Sequence, residues 1–318
     1  MPTAAAPAAA TAEAAPFRFF ELHVLRSRRL GPSMIRITFG GEQLKGFFAG
    51  GRDQSLSLFL PQPGQDAPLV PHEEGDAWFA RWREMDPEVR GVMRSYTVSA
   101  QRREPDELDI EFVLHGSTET GGPVAAGPAS RWAERARRGD RVIILGPAVE
   151  DNTAVRCRPP RGTDWVLIAA DETALPAAAA ILEWLPPGMP AKVWIEVPHE
   201  ADRRELPTRA DAEITWLVRD PASGAGAPPG AAEQAATAAV TAVTARETVE
   251  AVREAPLPPG TPYAWIAGES GTVRALRRHL VRERGFDRKA VTFVGYWRRG
   301  ASEEDLRREA LSGTATDD

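Results

Sequence analysis

The chain has 318 residues, of which 42% are hydrophobic and 26% charged, a composition typical of a globular protein with two domains. Its formal net charge of -6 argues against a general nucleic-acid-binding protein, because such proteins carry a basic domain or stripe. The single cysteine, Cys157, excludes an intramolecular disulfide, a four-thiolate iron–sulfur centre and a multi-cysteine zinc site. One cysteine also fits a reducing compartment.

Residues 1–16 are rich in alanine but lack the basic start and the long apolar core of a signal peptide. No stretch of the chain approaches the ~20 apolar residues that a membrane-spanning helix needs. We therefore expect a disordered tail over residues 1–16 of a cytoplasmic protein without an integral membrane segment.

Strand-like patterns separated by turn residues fill the first half of the chain. Two alternating runs flank a turn at residues 30–32, and the run SLSLFL ends at Pro61. RSYTVSAQ and ELDIEFVLHG predict a hairpin with one apolar and one half-polar face. Residues 61–90 are polar and irregular, so we expect them to be functional or mobile. A short helix that ends at Gly139 and the strand RVIILGPAV complete a small antiparallel barrel over residues 17–158.

The second half alternates strands with helices. DWVLIAA is continuously apolar, as in a strand buried on both faces, and KVWIEV, EITWLV, YAWIAG and AVTFVGYW are further strands. A helix start is indicated by Thr173 with Pro176 in the first turn, an alanine-rich helix follows the loop PASGAGAPPG, and another helix runs from Ser270 to Gly285. These patterns predict a parallel α/β domain over residues 159–300, with a C-terminal helix and tail over residues 301–318.

Arg94, Tyr96 and Thr97 are unusual at the start of a buried strand. A guanidinium suits a phosphate, a tyrosine ring can cover an aromatic ring system, and a threonine hydroxyl can bond a ring nitrogen. These residue types suit a ligand that is part diphosphate and part heteroaromatic. On the tripeptide alone, a surface arginine followed by two strand-forming residues remains an alternative.

The segment GPASRWAERA predicts a second candidate site. Gly127, Pro128 and Ala129 lead into a helix that Ser130 can cap, and free backbone N–H groups at such a start bind anions. Any serine-led helix start offers the same chemistry, so this signal alone is weak. His115, between the two segments, is equally compatible with a structural hydrogen bond.

Taken together, RSYT at 94–97, DIEFVLHG at 109–116 and GPASRWA at 127–133 resemble the siderophore-interacting proteins of the ferredoxin-reductase-like flavoprotein superfamily. ADETALPA, AGESGTVRALRRHL and GYWRRGASEEDL look like that family's nucleotide domain and tail. The resemblance covers nearly the whole chain, from about Phe17 to about Leu311. It implies a two-domain β plus α/β fold, in which an antiparallel flavin-binding β-barrel holds FAD and a parallel-sheet domain binds NAD(P)H. It also implies reduction of ferric siderophores in the cytoplasm.

The resemblance also implies roles for single positions, with Thr97 near the reactive nitrogen of the flavin and therefore catalytic. Gly268 and Glu269 follow Ala267 where many reductases of the superfamily have a cysteine–glycine pair, which leaves a cysteine role in doubt. The turn after VLIAA lacks a glycine-rich fingerprint, which predicts weaker phosphate binding there. The implied cofactor-binding residues are Arg94, Ser95, Tyr96, Thr97, His115, Gly116, Gly127, Ala129, Ser130, Asp171, Glu172, Thr173, Gly268, Glu269 and Trp297.

The residue pattern says less about the substrate and about the electron donor. Arg298 and Arg299 follow the last strand, where open α/β sheets place ligands, so they are candidates for an anionic ferric siderophore, although an ordinary amphipathic edge explains them equally well. Glu196 after the second parallel strand favours NADH, whereas Arg203 and Arg204 favour NADPH.

Two other activities stay open at this point. One is a general flavin or ferric-chelate reductase, and the other is a binding protein that sequesters flavin or siderophore without turnover. We expect a monomer without a nucleic-acid partner or a metal site of its own.

Overall fold

The computed structural model describes residues 15–114, 127–220 and 247–312. Six strands form a closed barrel in the order β1-β2-β5-β4-β3-β6, with every neighbouring pair antiparallel. The strands are β1 (Phe17–Gly31), β2 (Met34–Gly40), β3 (Ser55–Leu60), β4 (Val92–Arg102), β5 (Glu107–Val113) and β6 (Arg141–Pro147). The predicted antiparallel barrel is confirmed.

Strand β5 shows how the barrel core forms. Leu108, Ile110 and Phe112 alternate along the strand and are 0% exposed in the interior, as expected. The opposite face carries the polar residues that the pattern predicted, and it is buried as well, because Asp109 and Glu111 are only 2% and 4% exposed. Arginine side chains pair with both carboxylates, which removes the cost of burying unpaired charges.

The segment between β3 and β4 is more ordered than its composition suggests. It contains a 3₁₀ turn (His72–Ala77) and helix α1 (Trp78–Glu84). Trp82 is 2% exposed and packs edge-on against Phe59 of β3, while its indole N–H donates to the carbonyl of Gly91 at 3.1 Å. These contacts anchor α1 to the outside of the barrel.

The second domain is a five-stranded sheet in the order β11-β10-β7-β8-β9, with every pair parallel. Its strands are β7 (Trp165–Ala170), β8 (Pro190–His199), β9 (Asp211–Asp220), β10 (Pro262–Glu269) and β11 (Val291–Trp297). All six residues of β7 are buried, as the continuous apolar run predicted. The predicted α/β fold class is therefore confirmed.

Among the described residues, helices lie in three of the four connections between these strands, and one more follows the last strand. The described helices are α2 (Pro128–Arg135) in the barrel domain, α3 (Leu175–Trp184), α4 (residues 247–254), α5 (Ser270–Arg278) and α6 (Glu303–Ser312). None of the described helices is long and apolar enough to cross a membrane. The loop PASGAGAPPG and most of the predicted alanine-rich helix lie outside the described residues.

Two helix boundaries differ from prediction, and those of a third helix agree with it. Helix α2 ends at Arg135, and Gly139 instead adopts a positive φ of 95° in the following turn. Helix α3 begins at Leu175, because the Thr173 hydroxyl bonds Asp171. Helix α5 starts at Ser270 as predicted, and a π-helical turn (His279–Glu283) continues it almost to Gly285.

Buried polar contacts join the two domains. The carboxylate of Asp53 in the barrel accepts from the backbone N–H of Cys157 at 2.9 Å and from the indole N–H of Trp265 in β10 at 2.9 Å. Asp202 accepts from the backbone N–H of Ser33 at 2.9 Å. Burial raises the pKa of the Cys157 thiol to about 12, so this cysteine is unreactive at neutral pH.

Candidate active site

The arginine and serine of the β4 motif bind carboxylates of the C-terminal helix α6. Arg94 Nη1 donates to Glu304 Oε1 at 2.5 Å, and the Arg94 side chain is 15% exposed. The backbone N–H and the hydroxyl of Ser95 both donate to Glu303 Oε1 at 3.1 Å. The sequence analysis missed α6 as a partner of this motif, although the acidic run of Glu303, Glu304 and Asp305 was a visible signal.

The next two residues of the motif lie deeper in the protein. The ring of Tyr96 packs against Phe112 with centroids 4.5 Å apart, and Phe112 also contacts Trp132 of α2, at 5.8 Å. Thr97 is 6% exposed and lies close enough to the hydroxyl of Tyr296 in β11 to influence it. Burial raises the pKa of both tyrosine hydroxyls, so both phenols keep their protons at neutral pH. The β4 motif and α2 thus both contact Phe112, and the motif also faces the second domain.

Helix α2 begins after an N-cap residue, Gly127, that has no side chain with which to cap it. Gly127 is the N-cap in an extended conformation, Pro128 is the first helical residue, and a Cβ added to Gly127 would meet nothing within 4 Å. The expectation that Ser130 caps this helix is wrong, because its hydroxyl donates to the carbonyl of Val113 at 3.2 Å. Ala129 and Ser130 are both buried, whereas His115 and Gly116 lie outside the described residues.

In the second domain, the carboxylate of Asp171 ties together the ends of three strands. It follows β7 directly, and its Oδ2 accepts from the backbone N–H of Glu269 at the end of β10 and from the indole N–H of Trp297 at the end of β11, both at 2.8 Å. Its Oδ1 accepts from the backbone N–H of Thr173 at 2.9 Å. Asp171 therefore occupies the point where the strand order changes direction, between β7 and β10.

Burial and glycine geometry make this position specific. Burial, reinforced by the charge of Glu172, raises the pKa of Asp171 to about 7, against the opposing hydrogen bonds from Thr173 and Trp297. Gly268 has a φ of +139°, and a Cβ there would lie 2.4 Å from Asp171 Oδ2. Only glycine fits beside this carboxylate.

The start of helix α5 is covered by the chain itself. Glu269 is the N-cap residue, and its carboxylate accepts from the backbone N–H of Gly271 at 2.6 Å and of Thr272 at 3.0 Å. These N–H groups would otherwise point into the crevice at the ends of the strands. The predicted site residue Glu269 thus fills one of the anion positions that the fold provides.

A buried ionic cluster lies on the other side of Asp171. Arg219 of β9 pairs with Glu172 and, at 3.5 Å, with Glu196 of β8, and the hydroxyl of Thr248 donates to Glu196 at 2.6 Å. Burial raises the pKa of Glu196 despite these partners. Sequence reasoning missed Arg219 and Thr248, although a charged residue at the end of the strand EITWLV was a signal for the former. One cavity is lined by Asp171, Glu196, Arg219, Thr248, Trp297 and Arg299.

The remaining predicted residues separate into two groups. Arg299 lines this cavity, whereas Arg298 pairs with Glu309 of α6 at 2.5 Å. Arg203 pairs with its neighbour Glu200 at 2.6 Å, and Arg204 reaches Glu111 in the barrel at 2.7 Å. The structure therefore places Arg299 with the nucleotide-domain residues and uses Arg204 to hold the domains together.

A barrel joined to a parallel sheet, with an arginine–tyrosine–threonine motif facing the joint, defines a two-domain reductase of the ferredoxin-reductase type. A ferredoxin reductase of carbazole 1,9a-dioxygenase shares this fold, with a TM-score of 0.57 and 16% identity over 90% of this chain and 71% of that one. Residues 23–151 match the siderophore-interacting FAD-binding domain, and residues 163–300 match the siderophore-interacting protein profile. The chain belongs to the siderophore-interacting protein family.

Individual relatives cover almost the whole chain. The ferric vibriobactin reductase ViuB of Vibrio cholerae is 30% identical over 91% of this chain and 92% of its own length. The NADPH-dependent ferric-chelate reductase of Escherichia coli is 31% identical over 88% of this chain and 93% of its own. The crystal structure of the siderophore-interacting protein SipS from Aeromonas hydrophila has a TM-score of 0.68 and 29% identity, covering 94% of this chain and 99% of that one.

Proposed function

We infer that this chain is an FAD-dependent oxidoreductase that passes electrons from NAD(P)H to a ferric siderophore. The observation that carries this inference is the meeting of the β4 motif and α2 at Phe112, within a domain of the siderophore-interacting FAD-binding family. The names of the relatives, a ferric vibriobactin reductase and a ferric-chelate reductase, support the same activity.

The residues at this end of the barrel fit FAD in charge, shape and hydrogen bonding. Arg94 and Ser95 already bind carboxylate oxygens, and the same donors suit a diphosphate. The start of α2, whose N-cap Gly127 has no side chain, places the positive end of a helix beside open space at this glycine. The aromatic face of Tyr96 suits a flavin ring. The residues proposed to hold FAD are Arg94, Ser95, Tyr96, Thr97, His115, Gly116, Gly127, Ala129 and Ser130.

FAD, when bound, accepts two electrons as a hydride from nicotinamide and delivers them one at a time. One NAD(P)H therefore reduces two ferric ions to two ferrous ions and leaves NAD(P)⁺ and one proton. Iron(III) is a hard cation that siderophore oxygens hold firmly, whereas iron(II) binds such donors more weakly. Reduction thus releases the iron from its chelate.

Thr97 is the residue that we propose as catalytic. A hydroxyl both donates and accepts, so Thr97, which lies near the Tyr296 phenol, could direct its own proton at the reactive nitrogen of the flavin. Since Thr97 is 6% exposed, bulk water competes little for this hydrogen bond. Thr97 then orients the ring and holds a proton beside the atom that receives the hydride.

The second domain supplies the proposed nucleotide side of the cleft. We propose that Asp171, Glu172, Thr173, Gly268, Glu269 and Trp297 form the wall against which the pyridine nucleotide lies. Arg299, exposed at the rim, and Arg298 beside it would attract an anionic ferric chelate. We further propose that the protein acts as a monomer in the cytoplasm, where its single buried thiol, Cys157, stays reduced.

An anaerobic visible spectrum of the FAD-loaded protein tests this function. We expect NADH or NADPH to bleach the oxidised flavin bands and a ferric siderophore to restore them, with two ferrous ions trapped by a coloured chelator for each nucleotide oxidised. Restoration by every ferric chelate at the same rate would indicate a general ferric-chelate reductase. Flavin that neither donor bleaches would indicate a binding protein instead.

A further inference from the structure

The choice between NADH and NADPH depends on the ionic cluster at the ends of β7, β8 and β9. Two carboxylates, Glu172 and Glu196, share the single guanidinium of Arg219. Both carboxylate residues are buried, at 3% and 7% exposure, and Oε2 of Glu172 has no hydrogen-bond partner among the described residues. Among the described residues, the cluster therefore holds more acceptor groups than donors.

The position of this cluster corresponds to the ribose end of a dinucleotide. In open parallel sheets the dinucleotide crosses the point where the strand order reverses, and an acidic residue after the second strand accepts from the ribose 2′-hydroxyl. Here the order reverses between β7 and β10, and β8 is the second strand of the sheet along the chain. Glu196 lies near the end of β8 and lines the same cavity as Asp171 and Trp297.

A 2′-hydroxyl and a 2′-phosphate make opposite demands on this end of the site. The hydroxyl donates to a carboxylate, whereas the phosphate requires arginine or lysine and is repelled by carboxylates. Arg219, the guanidinium at the cluster, is already paired with two carboxylates. Arg203 is held by Glu200, and Arg204 is held by Glu111 in the barrel.

Arg299 also lines the cavity but comes from the far side of the sheet. It follows β11, which is separated from β8 by β10 and β7. Three strand intervals of about 4.8 Å give a separation of roughly 14 Å. Arg299 is therefore better placed toward the nicotinamide end and the iron chelate than toward the ribose.

We infer that Glu196, supported by Thr248 and Arg219, selects NADH over NADPH as the electron donor. This inference rests on the proposed function, since it names the donor of the same reaction. The relevant chemistry is recognition of an unphosphorylated adenosine ribose and repulsion of a ribose that carries a 2′-phosphate.

The experiment compares both donors and both adenosine fragments. In anaerobic stopped-flow reduction of the FAD-loaded protein, kcat/KM should be at least about tenfold higher with NADH than with NADPH. Binding of 5′-AMP and of adenosine 2′,5′-bisphosphate, followed by calorimetry, should show the same preference without any electron transfer. Equal or tighter binding of the bisphosphate would overturn the inference.

Three variants connect this preference to the cluster. Glu196→Gln should lower the NADH:NADPH ratio about tenfold, since the amide loses the charge that repels the phosphate. Thr248→Val, which removes only the hydrogen bond to Glu196, should lower the ratio less and serves if Glu196→Gln does not fold. Glu213→Gln is the matched control, because Glu213 pairs with Lys192 on the same two strands outside the cavity. An unchanged ratio in both cluster variants would contradict the assignment.

Failure of the inference and failure of the proposed function give different results. If neither nucleotide reduces the flavin but chemically reduced protein still reduces a ferric siderophore, siderophore reduction stands and NADH selection is wrong. If NADH reduces the flavin selectively but no ferric siderophore reoxidises it, the selection stands and the proposed acceptor is wrong.

Discussion

Helix α2 in the barrel domain and helix α5 in the α/β domain begin in opposite ways. The N-cap residue of α2 is Gly127, which has no side chain to cap the helix and has open space beside it. The first N–H groups of α5 are taken by the carboxylate of Glu269. Both helix starts carry the same partial positive charge, so the difference lies in the capping side chain.

This difference separates a retained cofactor from a transient substrate. A helix start without a capping carboxylate leaves its positive end available to the FAD diphosphate, which favours long retention. The start of α5 is already capped by the carboxylate of Glu269, and the neighbouring carboxylate of Asp171 already accepts from the backbone N–H of Glu269. A dinucleotide that binds there must therefore compete with these two carboxylates for the N–H donors. Weak binding suits a donor that must leave after each hydride transfer, since product release limits many enzymes.

The largest effect is expected for Arg94→Ala. Loss of a charge-assisted contact to the diphosphate should weaken FAD binding by about 1.5–3 kcal/mol, which is roughly tenfold to a hundredfold in the dissociation constant. Titration of the apoprotein with FAD, followed by flavin fluorescence, measures the change. Flavin occupancy equal to that of the unmodified protein would refute the assignment of the β4 motif.

Arg298→Ala is the control for this prediction. Arg298 also pairs with α6, through Glu309, but belongs to the loop after β11 and not to the β4 motif. The substitution weakens the attachment of α6 and leaves Arg94 in place, so FAD affinity should stay within about twofold, or ~0.4 kcal/mol. Equal losses in the two variants would assign FAD retention to the attachment of α6.

Gly127→Asp should make the start of α2 resemble that of α5. An aspartate N-cap stabilises a helix by only a few tenths of a kcal/mol more than glycine does, so the apoprotein should unfold at a slightly higher denaturant concentration. The same carboxylate competes with the diphosphate and should weaken FAD binding about tenfold, or ~1.4 kcal/mol. Gly127→Ala separates charge from bulk, because a Cβ fits there without contact and φ is -61°. Unchanged FAD affinity in the aspartate variant would place the diphosphate elsewhere.

The sequence predicted those structural features of the two domains that depend on the residue pattern within a single strand or helix. The continuous apolar run of β7, the alternation of Leu108, Ile110 and Phe112, and the start of α5 at Ser270 each follow from side chains within one element. The order of the three barrel segments was enough to identify the family, because together they are far more specific than any one of them.

The sequence did not predict contacts between distant residues. Glu304 binds Arg94 across 210 positions, and Arg204 binds Glu111 across 93, so no window of the chain contains both partners. The burial of Glu111 was missed for the same reason, since its partners Arg36 and Arg204 lie 75 and 93 positions away. The capping of α5 by Glu269 was also not predicted, because capping depends on side-chain geometry that spacing does not fix.

The smallest effect is expected for Glu269→Gln, which removes the negative charge of the residue that caps α5. The amide oxygen can still cap Gly271 and Thr272, but the negative charge disappears, so the free energy of unfolding should fall by only about 0.5 kcal/mol. A nucleotide diphosphate then meets less repulsion, and KM for the donor should fall about threefold, or ~0.7 kcal/mol. Asp287→Asn is the matched control, because Asp287 caps the turn before β11 through Lys289 and lies outside the cavity. A higher KM in Glu269→Gln would mean that the Glu269 carboxylate binds the nucleotide directly. The starts of α2 and α5 would then differ in the ligand group that each one binds.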